Sequence, residues 1–314
     1  MIRGAPGAWD SSYHAPVLAD EIVSLFEGAK AVLDCTMGGG GHSAALLAAG
    51  ARVIAIDRDP EAVAKARERL AADEAAGRFR IILGNFAEID TLLPDRSQKF
   101  DGILADLGVS SHQIDAAGRG FTFREGAPLD MRMDPGSDTS AARLLATASE
   151  EELAHILRDY GDEPKARRLA KEIVRRRANR PFLTSNDLVG AIRAVLGPRS
   201  GPGEFARLFQ AMRIAVNDEI AALATALPRL RDRLTDGGIL AVISYHSGED
   251  RLVKNEMREW SRDCICPQWQ LQCTCRGRAL GTLITRRSIT ASEGEIARNP
   301  RARSARLRAW RSAV

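Results

Sequence analysis

Three aspartates each close an apolar run, and that placement is the first sign of chemistry in the chain. Ala31-Val32-Leu33 runs into Asp34, R-V-I-A-I (52–56) into Asp57, and Gly102-Ile103-Leu104-Ala105 into Asp106. Between the first two acids lies D-C-T-M-G-G-G-G-H-S, Asp34 to Ser43. Glycines in such a turn let the backbone approach a nucleotide-like ligand closely, and an acid ending the next strand can accept both ribose hydroxyls. The glycine run alone is a weak signal. Gly39-x-Gly41-x-x-Ala44 also satisfies the dinucleotide fingerprint, so a nicotinamide dehydrogenase must be argued away. Three carboxylates at one sheet edge are awkward for a pyrophosphate. They suit a ligand carrying an ammonium, a ribose and a sulfonium, which describes S-adenosylmethionine. Taken singly, any of the acids could do no more than cap a helix.

The elements that must position these residues alternate. Strand candidates are Ala31–Cys35, Arg52–Asp57, Phe79–Leu83, Gly102–Asp106 and Ile239–Ser244. Helical patterns lie between the early ones; Pro60 suits a helix start, with Val63, Ala66 and Leu70 at helical spacing. Strands alternating with helices across short connections imply an α/β fold with a parallel, doubly wound sheet. More than 130 residues separate the fourth and fifth candidates, far more than one crossover needs. An inserted helical domain is therefore expected, with 1–113 and 207–314 forming the sheet domain and 114–206 the insertion. Its markers are the capping box Ser149-x-x-Glu152, the apolar face of Leu153, Ile156 and Leu157, and Leu169, Ile173 and Val174 on the next helix. Thr184-Ser185-Asn186 offers caps for a third helix, G-P-R-S-G-P-G (197–203) a flexible return, and Asp236-Gly237-Gly238 the stop before the fifth strand.

In open parallel sheets ligands sit beyond the carboxyl ends of the strands. The segments expected there carry Gly40, Gly41 and His42 in the first turn, Asp57 on the second strand, Phe86 after the third, and Asp106 to Gln113 after the fourth. Phe86 could pack on an adenine or simply join the core, and His42 could touch ligand or cap a helix. His246, just past the fifth strand, could relay a proton, but Ser247-x-x-Asp250 favours a structural place at a helix start.

The chain has 314 residues and a net charge of +4, so the distribution of charge says more than its sum. Lys165 to Arg180 holds eight basic residues against Glu172 alone, and Arg298 to Arg311 holds six arginines and no acid. Such clusters can neutralise phosphates, and the competing reading is a solvated helix face with a basic tail. No apolar stretch approaches the roughly 18 residues of a membrane span, which leads to the expectation of a soluble, cytoplasmic protein without membrane partners. Monomer and dimer both remain open.

A family resemblance rests on seven strings. They are the D-C-T-M-G-G-G-G-H-S turn, A-I-D-R-D-P (55–60), D-L-G-V-S-S (106–111), R-G-F-T-F-R-E-G-A-P-L-D-M-R-M-D-P (119–135), F-Q-A-M-R-I-A-V-N-D-E (209–219), S-Y-H-S-G-E-D-R (244–251) and N-P-R-A-R-S-A-R-L-R (299–308). Together, in order from about His14 to the C-terminus, they resemble the bacterial small-subunit ribosomal RNA cytosine-N4 methyltransferases, the RsmH or MraW family. P-L-D-M-R-M-D is far more specific than the glycine loop. The resemblance implies a Rossmann-like class I methyltransferase sheet with an inserted helical domain, S-adenosylmethionine as donor, and a P-site cytidine of 16S rRNA in the small ribosomal subunit as target. It further implies donor-binding roles for Gly40, Gly41, His42, Asp57, Phe86, Asp106 and Gln113. The chain departs from the family's usual Phe at Tyr245, its usual Leu at Gly248, and its usual sequence at G-D-E-P-K (161–165).

Methyl transfer from a sulfonium is an in-line displacement that needs no metal, so none is expected at the reacting centre. An exocyclic cytosine amine is a poor nucleophile, and Asp106 is placed to accept its hydrogen bonds. Methylation at cytosine C5 needs a cysteine nucleophile; none lies in the segment directly after the fourth strand. The common D/N/S-P-P-aromatic motif of nitrogen methylation is absent, so N4 of cytosine over N6 of adenine rests on the resemblance. Cys264-x-Cys266 and Cys273-x-Cys275 could hold a structural zinc, pair as disulfides or stay reduced, and C-x-C pairs are less typical of zinc than C-x-x-C. The rival of a different class is a non-catalytic RNA-binding assembly factor that keeps the donor pocket as a relic.

Overall fold

The computed structural model describes residues 16–270 and 272–313, so the start of the family resemblance near His14 lies outside the described residues. Two compact units emerge: Met1–Gly108 with Ala221–Val314, and Val109–Ile220.

The first unit is built on a seven-stranded sheet of β1 (Ala31–Asp34), β2 (Arg52–Asp57), β3 (Phe79–Leu83), β4 (Phe100–Asp106), β5 (Leu234–Ser244), β6 (Gly281–Leu283) and β7 (Arg306–Ser312). Its order is β3-β2-β1-β4-β5-β7-β6. The first five strands are parallel, and β7 runs antiparallel to both β5 and β6. Near-continuous apolar runs are what a sheet covered on both faces requires, and Leu33, Ala55, Ile56, Leu104 and Ala105 have no solvent exposure. Helices α1 (Ala19–Leu25), α2 (Gly41–Ala48), α3 (Pro60–Arg69), α4 (Ala71–Ala75) and α5 (Ile89–Leu92) accompany the early strands. Strand order reverses at β1, so the switch point lies between β1 and β4, where ligands bind in such sheets. Asp34 is in register with Ala55 and Leu104, which puts Asp57 and Asp106 two residues further along the flanking strands.

The second unit contains α6 (Ser111–Asp115), α7 (Ala141–Thr147), α8 (Glu150–Asp159), α9 (Ala166–Arg177), α10 (Ser185–Leu196) and α11 (Pro202–Asn217). Ser149 caps α8 by accepting from the Glu152 amide at 3.1 Å, and Thr184 and Asp187 form a capping box on α10. The unit's edges fall at 108/109 and 220/221 rather than the expected 113/114 and 206/207. The return helix α11 accounts for most of that difference, because its Phe205, Leu208, Phe209 and Met212 are buried in the insertion's own core. Then come α12 (Glu219–Arg231), α13 (Ser247–Trp260) and α14 (Glu293–Arg298).

Two sequence expectations need correction here, and the structural place favoured for His246 holds. Asp236-Gly237-Gly238 does not precede the fifth strand; it lies inside β5, where Gly237 takes φ 74° and the β4–β5 register shifts. The helix start at Ser247 is capped by His246, whose Nδ1 accepts from the Gly248 and Glu249 amides at 3.2 and 3.4 Å. The arginine-rich tail is not a free basic arm. It forms β7 beside β5, and Arg308 is turned inward onto both carboxylate oxygens of Asp250 at 2.6 and 3.0 Å. No helix among the described residues is long and apolar enough to cross a membrane.

Candidate active site

The loop leaving β1 ties three strand ends together through the acids. Asp34, almost wholly buried, accepts from Ser43 Oγ at 2.7 Å and from the Thr36 amide at 3.2 Å. Thr36 Oγ1 in turn accepts from the Asp106 amide at 2.6 Å. Asp57 accepts from the Gly38 amide at 2.7 Å and the Asp59 amide at 2.9 Å. Asp34 is therefore an anchor for the loop and for α2, with both oxygens engaged. Two glycines have clear steric reasons. Gly40 adopts φ 74°, a left-handed conformation that disfavours a side chain. A Cβ on Gly41 would come within 2.9 Å of Pro16 Cδ.

Asp106 is the centre of a polar network drawn from three elements. Its Oδ1 accepts from the Tyr245 hydroxyl at 2.8 Å, and its Oδ2 lies 3.7 Å from His42 Nδ1. His42 is held from its far side, with Nε2 2.9 Å from the Val17 carbonyl oxygen. A carbonyl can only accept, so Nε2 carries the proton, and in the neutral ring Nδ1 faces Asp106 as an acceptor. Burial favours that neutral ring, lowering the His42 pKa. Burial also pushes Asp106 up to about 7, against the pull of the Tyr245 hydrogen bond, with nearby Glu249 adding to the rise. Asp57 is pushed up to about 6 by burial, partly offset by its two amide donors. Asp34 is raised by burial too, with Ser43 opposing. The Tyr245 hydroxyl is pushed well above its usual range by burial and by Asp106, so it stays a donor.

Three desolvated carboxylates and a neutral imidazole leave this edge short of positive charge. Each carboxylate would be stabilised by a cation or by added hydrogen-bond donors. A ligand bearing an ammonium, a sulfonium and ribose hydroxyls supplies all of these, whereas the pyrophosphate of a dinucleotide would add repulsion. Gly40 also supplies no side chain to the first turn of α2, where backbone N–H groups favour a carboxylate. These residues fit S-adenosylmethionine.

The other expected positions differ in character. Phe86 opens a turn of 3-10 helix shortly after β3, is half-buried and packs on the core. Gln113 belongs to the second unit, where its Oε1 accepts from the Ser110 amide at 2.9 Å in a capping box that starts α6. His246 Nε2 is 3.1 Å from Glu249 Oε1, which together with its capping role makes it part of the α13 start. Within the second unit, P-L-D-M-R-M-D folds back on itself. Asp130 receives Arg132 bidentately at 2.9 and 2.8 Å, while Asn217 from α11 donates to the Met131 carbonyl at 2.7 Å and accepts from the Met133 amide at 2.8 Å. The motif thus fastens the insertion's own interior. Sequence reasoning missed Tyr245, Thr36 and Asn217. Tyr245 had been visible only as a departure from the usual Phe.

A family model for MraW methylases matches residues 11–313. The chain belongs to the MraW methylase family. The Ribosomal RNA small subunit methyltransferase H of Gemmatimonas aurantiaca is 61% identical over 312 residues, covering 99% of both chains. The protein of the same name from Heliobacterium modesticaldum is 46% identical over 307 residues, covering 95% of this chain and 97% of its own. A crystal structure of an rRNA methylase from Streptococcus thermophilus aligns over 94% of each chain at 12% identity, with a TM-score of 0.42. The methylase described here uses S-adenosylmethionine as methyl donor, so the dehydrogenase reading is set aside.

Proposed function

We propose that the methylase transfers a methyl group to N4 of a cytidine in the decoding region, at the P site, of 16S rRNA in the small ribosomal subunit. The observation that carries this reading is the Asp106 centre: a buried carboxylate at the end of β4, oriented by Tyr245 and faced by His42, with no reactive thiol beside it. Cys35, at the end of β1, is buried, and burial together with Asp34 pushes its thiol well above the usual range. A thiol held protonated is no nucleophile, which disfavours attack on the pyrimidine ring and C5 chemistry.

In this reading the donor supplies an electrophilic methyl group on a sulfonium. Asp57 receives the ribose hydroxyls, Gly40, Gly41 and His42 frame the amino-acid end, and Asp106 completes this unit's donor-binding set. Asp106 has a second task. By accepting a hydrogen bond from the exocyclic amine it fixes the amine in line with the methyl group and offsets the positive charge that grows on N4. As the N–CH3 bond forms and the S–CH3 bond breaks, the surplus N4 proton passes to the Asp106 carboxylate. A pKa of about 7 suits that transfer, because the group is ionised often enough to accept the proton and basic enough to hold it. His42, with Nδ1 toward Oδ2, can share the proton once Asp106 carries it.

The second unit is proposed as the rRNA-facing element, with its basic surface revised. Arg175 and Arg176 both bind Glu172, at 2.8 and 2.7 Å, and Arg177 is tied to the Leu145 and Ala148 carbonyls. The phosphate-tracking role falls instead to exposed Arg167, Arg168 and Lys171 on α9. The protein is expected to work in the cytoplasm, where its ribosomal target is.

The test is Asp106→Asn. It keeps shape and one acceptor but removes the charge and places a donor toward the amine. Single-turnover methylation should fall by roughly 10²–10⁴-fold, while rRNA affinity changes little. Parallel loss of binding and turnover would make Asp106 a folding or docking residue.

A further inference from the structure

The only group of three or more histidines, cysteines or acids with metal-binding spacing among the described residues lies away from the methyl-transfer centre, in the connection between α13 and β6. The ligand atoms of Cys264, Cys266, Cys273 and Cys275 all fall within 4.8 Å of one another. Three of the edges are 3.7 Å (Cys264 to Cys273), 3.5 Å (Cys273 to Cys275) and 3.8 Å (Cys275 to Cys264). A tetrahedral zinc thiolate with bonds of about 2.3 Å has sulfur–sulfur edges of about 3.8 Å. The sulfurs of Cys264, Cys273 and Cys275 are therefore spaced as one face of that tetrahedron, and Cys266 Sγ lies within 4.8 Å of all three. They are too far apart for a disulfide, which requires about 2.05 Å, and all four are free thiols. The cube of an iron–sulfur cluster would hold its cysteines much further apart than this. We propose that Cys264, Cys266, Cys273 and Cys275 form a structural zinc site.

The surrounding chain gives the site a purpose. No described residue between 264 and 275 is buried, and Trp269 and Ile265 are 81% and 38% exposed. Such a segment has no apolar core to hold it, and small elements in that position depend on a metal or cross-links. Its remaining contacts are local. The Gln270 amide closes a turn onto the Pro267 carbonyl at 3.0 Å, and Gln270 Nε2 donates to Thr274 Oγ1 at 2.7 Å. That turn folds one C-x-C pair back onto the other. The Ile265 amide donates to Cys275 Sγ at 3.3 Å, the type of contact that stabilises a metal-bound thiolate. At the rim, Arg276 is fixed to the end of α13 by donating to the Glu259 and Arg262 carbonyls, which places a cation beside the anionic charge of a four-thiolate centre. Zinc binding releases the four thiol protons to solvent and changes no oxidation state. Its role is to hold the exposed loop, with Trp269 at its tip, in one conformation.

The experiment uses the full chain, purified under reducing conditions without chelator. Elemental analysis should find one zinc per chain, and mercurial modification of the thiols should release it to a colorimetric chelator. Cys273→Ser with Cys275→Ser should purify without zinc while binding S-adenosylmethionine as tightly as the parent, which separates loss of the site from loss of the fold. Should that variant not fold, parent protein stripped by chelator and reloaded with Co(II) should show the intense visible bands of a tetrahedral cobalt thiolate. Protease should cut the stripped protein within 264–275 faster than the zinc-loaded form. Zinc at background in the parent, equal zinc in the variant, or an intact mass showing oxidised cysteine pairs would each overturn the proposal.

Discussion

Replacing Tyr245 with Phe deletes a single oxygen from the buried network and leaves the ring's packing in place. The hydroxyl donates to Asp106 Oδ1 at 2.8 Å, and both side chains are shielded from solvent. A hydrogen bond to a charged acceptor contributes about 1.5–3 kcal/mol. Losing it destabilises the ionised form and raises the Asp106 pKa by roughly one to two. From about 7, the group would move to roughly 8–9. The direction is fixed: the hydrogen bond favours the carboxylate, so its removal favours the protonated acid. A protonated Asp106 cannot take the N4 proton, so the acidic limb of the kcat/KM profile should shift upward. At pH 7.5 the ionised fraction falls from about three quarters to between a quarter and a thirtieth, which predicts a roughly three- to 25-fold loss of rate that is recovered near pH 9. The assay is single-turnover methylation of small subunits across pH, with donor affinity measured alongside. A profile unchanged in position would refute the assigned coupling of Tyr245 to Asp106. So would a loss of equal size at every pH, which would instead give the hydroxyl a purely structural role.

At the donor end, Asp57→Ala should weaken S-adenosylmethionine binding tenfold or more on the scale of about 1.4 kcal/mol per decade; an unchanged Kd by calorimetry rules out Asp57 as the ribose ligand. In the parent, ribose hydroxyls favour the ionised Asp57, whose unliganded pKa is about 6, so donor affinity should rise as pH increases from 5 to 7. Affinity that is flat or falling over that range, in the parent but not in buffer controls, contradicts the assignment. Replacing Arg167, Arg168 and Lys171 by Ala should weaken rRNA binding and flatten its salt dependence by about 0.7–0.9 per phosphate contact removed, with donor binding intact; an unaltered slope in a salt series removes α9 from the RNA surface.

Much of the sheet was legible because its parallel strands are short apolar runs that end on acids, and a strand covered on both faces needs that composition. β2 and β3 match the expected limits residue for residue, and β1 and β4 differ only at one end. The edge of the sheet was not legible. β7 alternates arginine with apolar residues and resembles a nucleic-acid tail until the pairing of Arg308 with Asp250 is seen, and β6 has only three residues. The insertion's limits were misplaced because α11 follows a glycine- and proline-rich stretch that looks like a domain boundary, although its buried face joins the insertion.

At the site, residue types and spacing pointed to the three acids but not to their different tasks. Asp34 and Asp57 each accept one hydrogen bond on each oxygen, but Asp34 is buried while Asp57 is only partly so, and Asp106 alone is gripped by Tyr245 and faced by His42. Those distinctions arise from contacts across 139 residues of sequence in the case of Tyr245, which no local pattern carries. The cysteine pairs show the same limit. C-x-C spacing is compatible with thiols, disulfides or zinc, and only the turn between the pairs brings the four sulfurs within 4.8 Å of one another.

The central claim is that this methylase modifies N4 of a single cytidine in small-subunit rRNA. Its most direct test is nucleoside and fragment mass spectrometry of 16S rRNA from unmodified small subunits incubated with the purified protein and isotopically labelled S-adenosylmethionine. The account predicts labelled N4-methylcytidine confined to one P-site position, formed by the parent and not by Asp106→Asn. Label appearing as 5-methylcytidine or N6-methyladenosine, or no label in the rRNA while the donor remains bound, would contradict it.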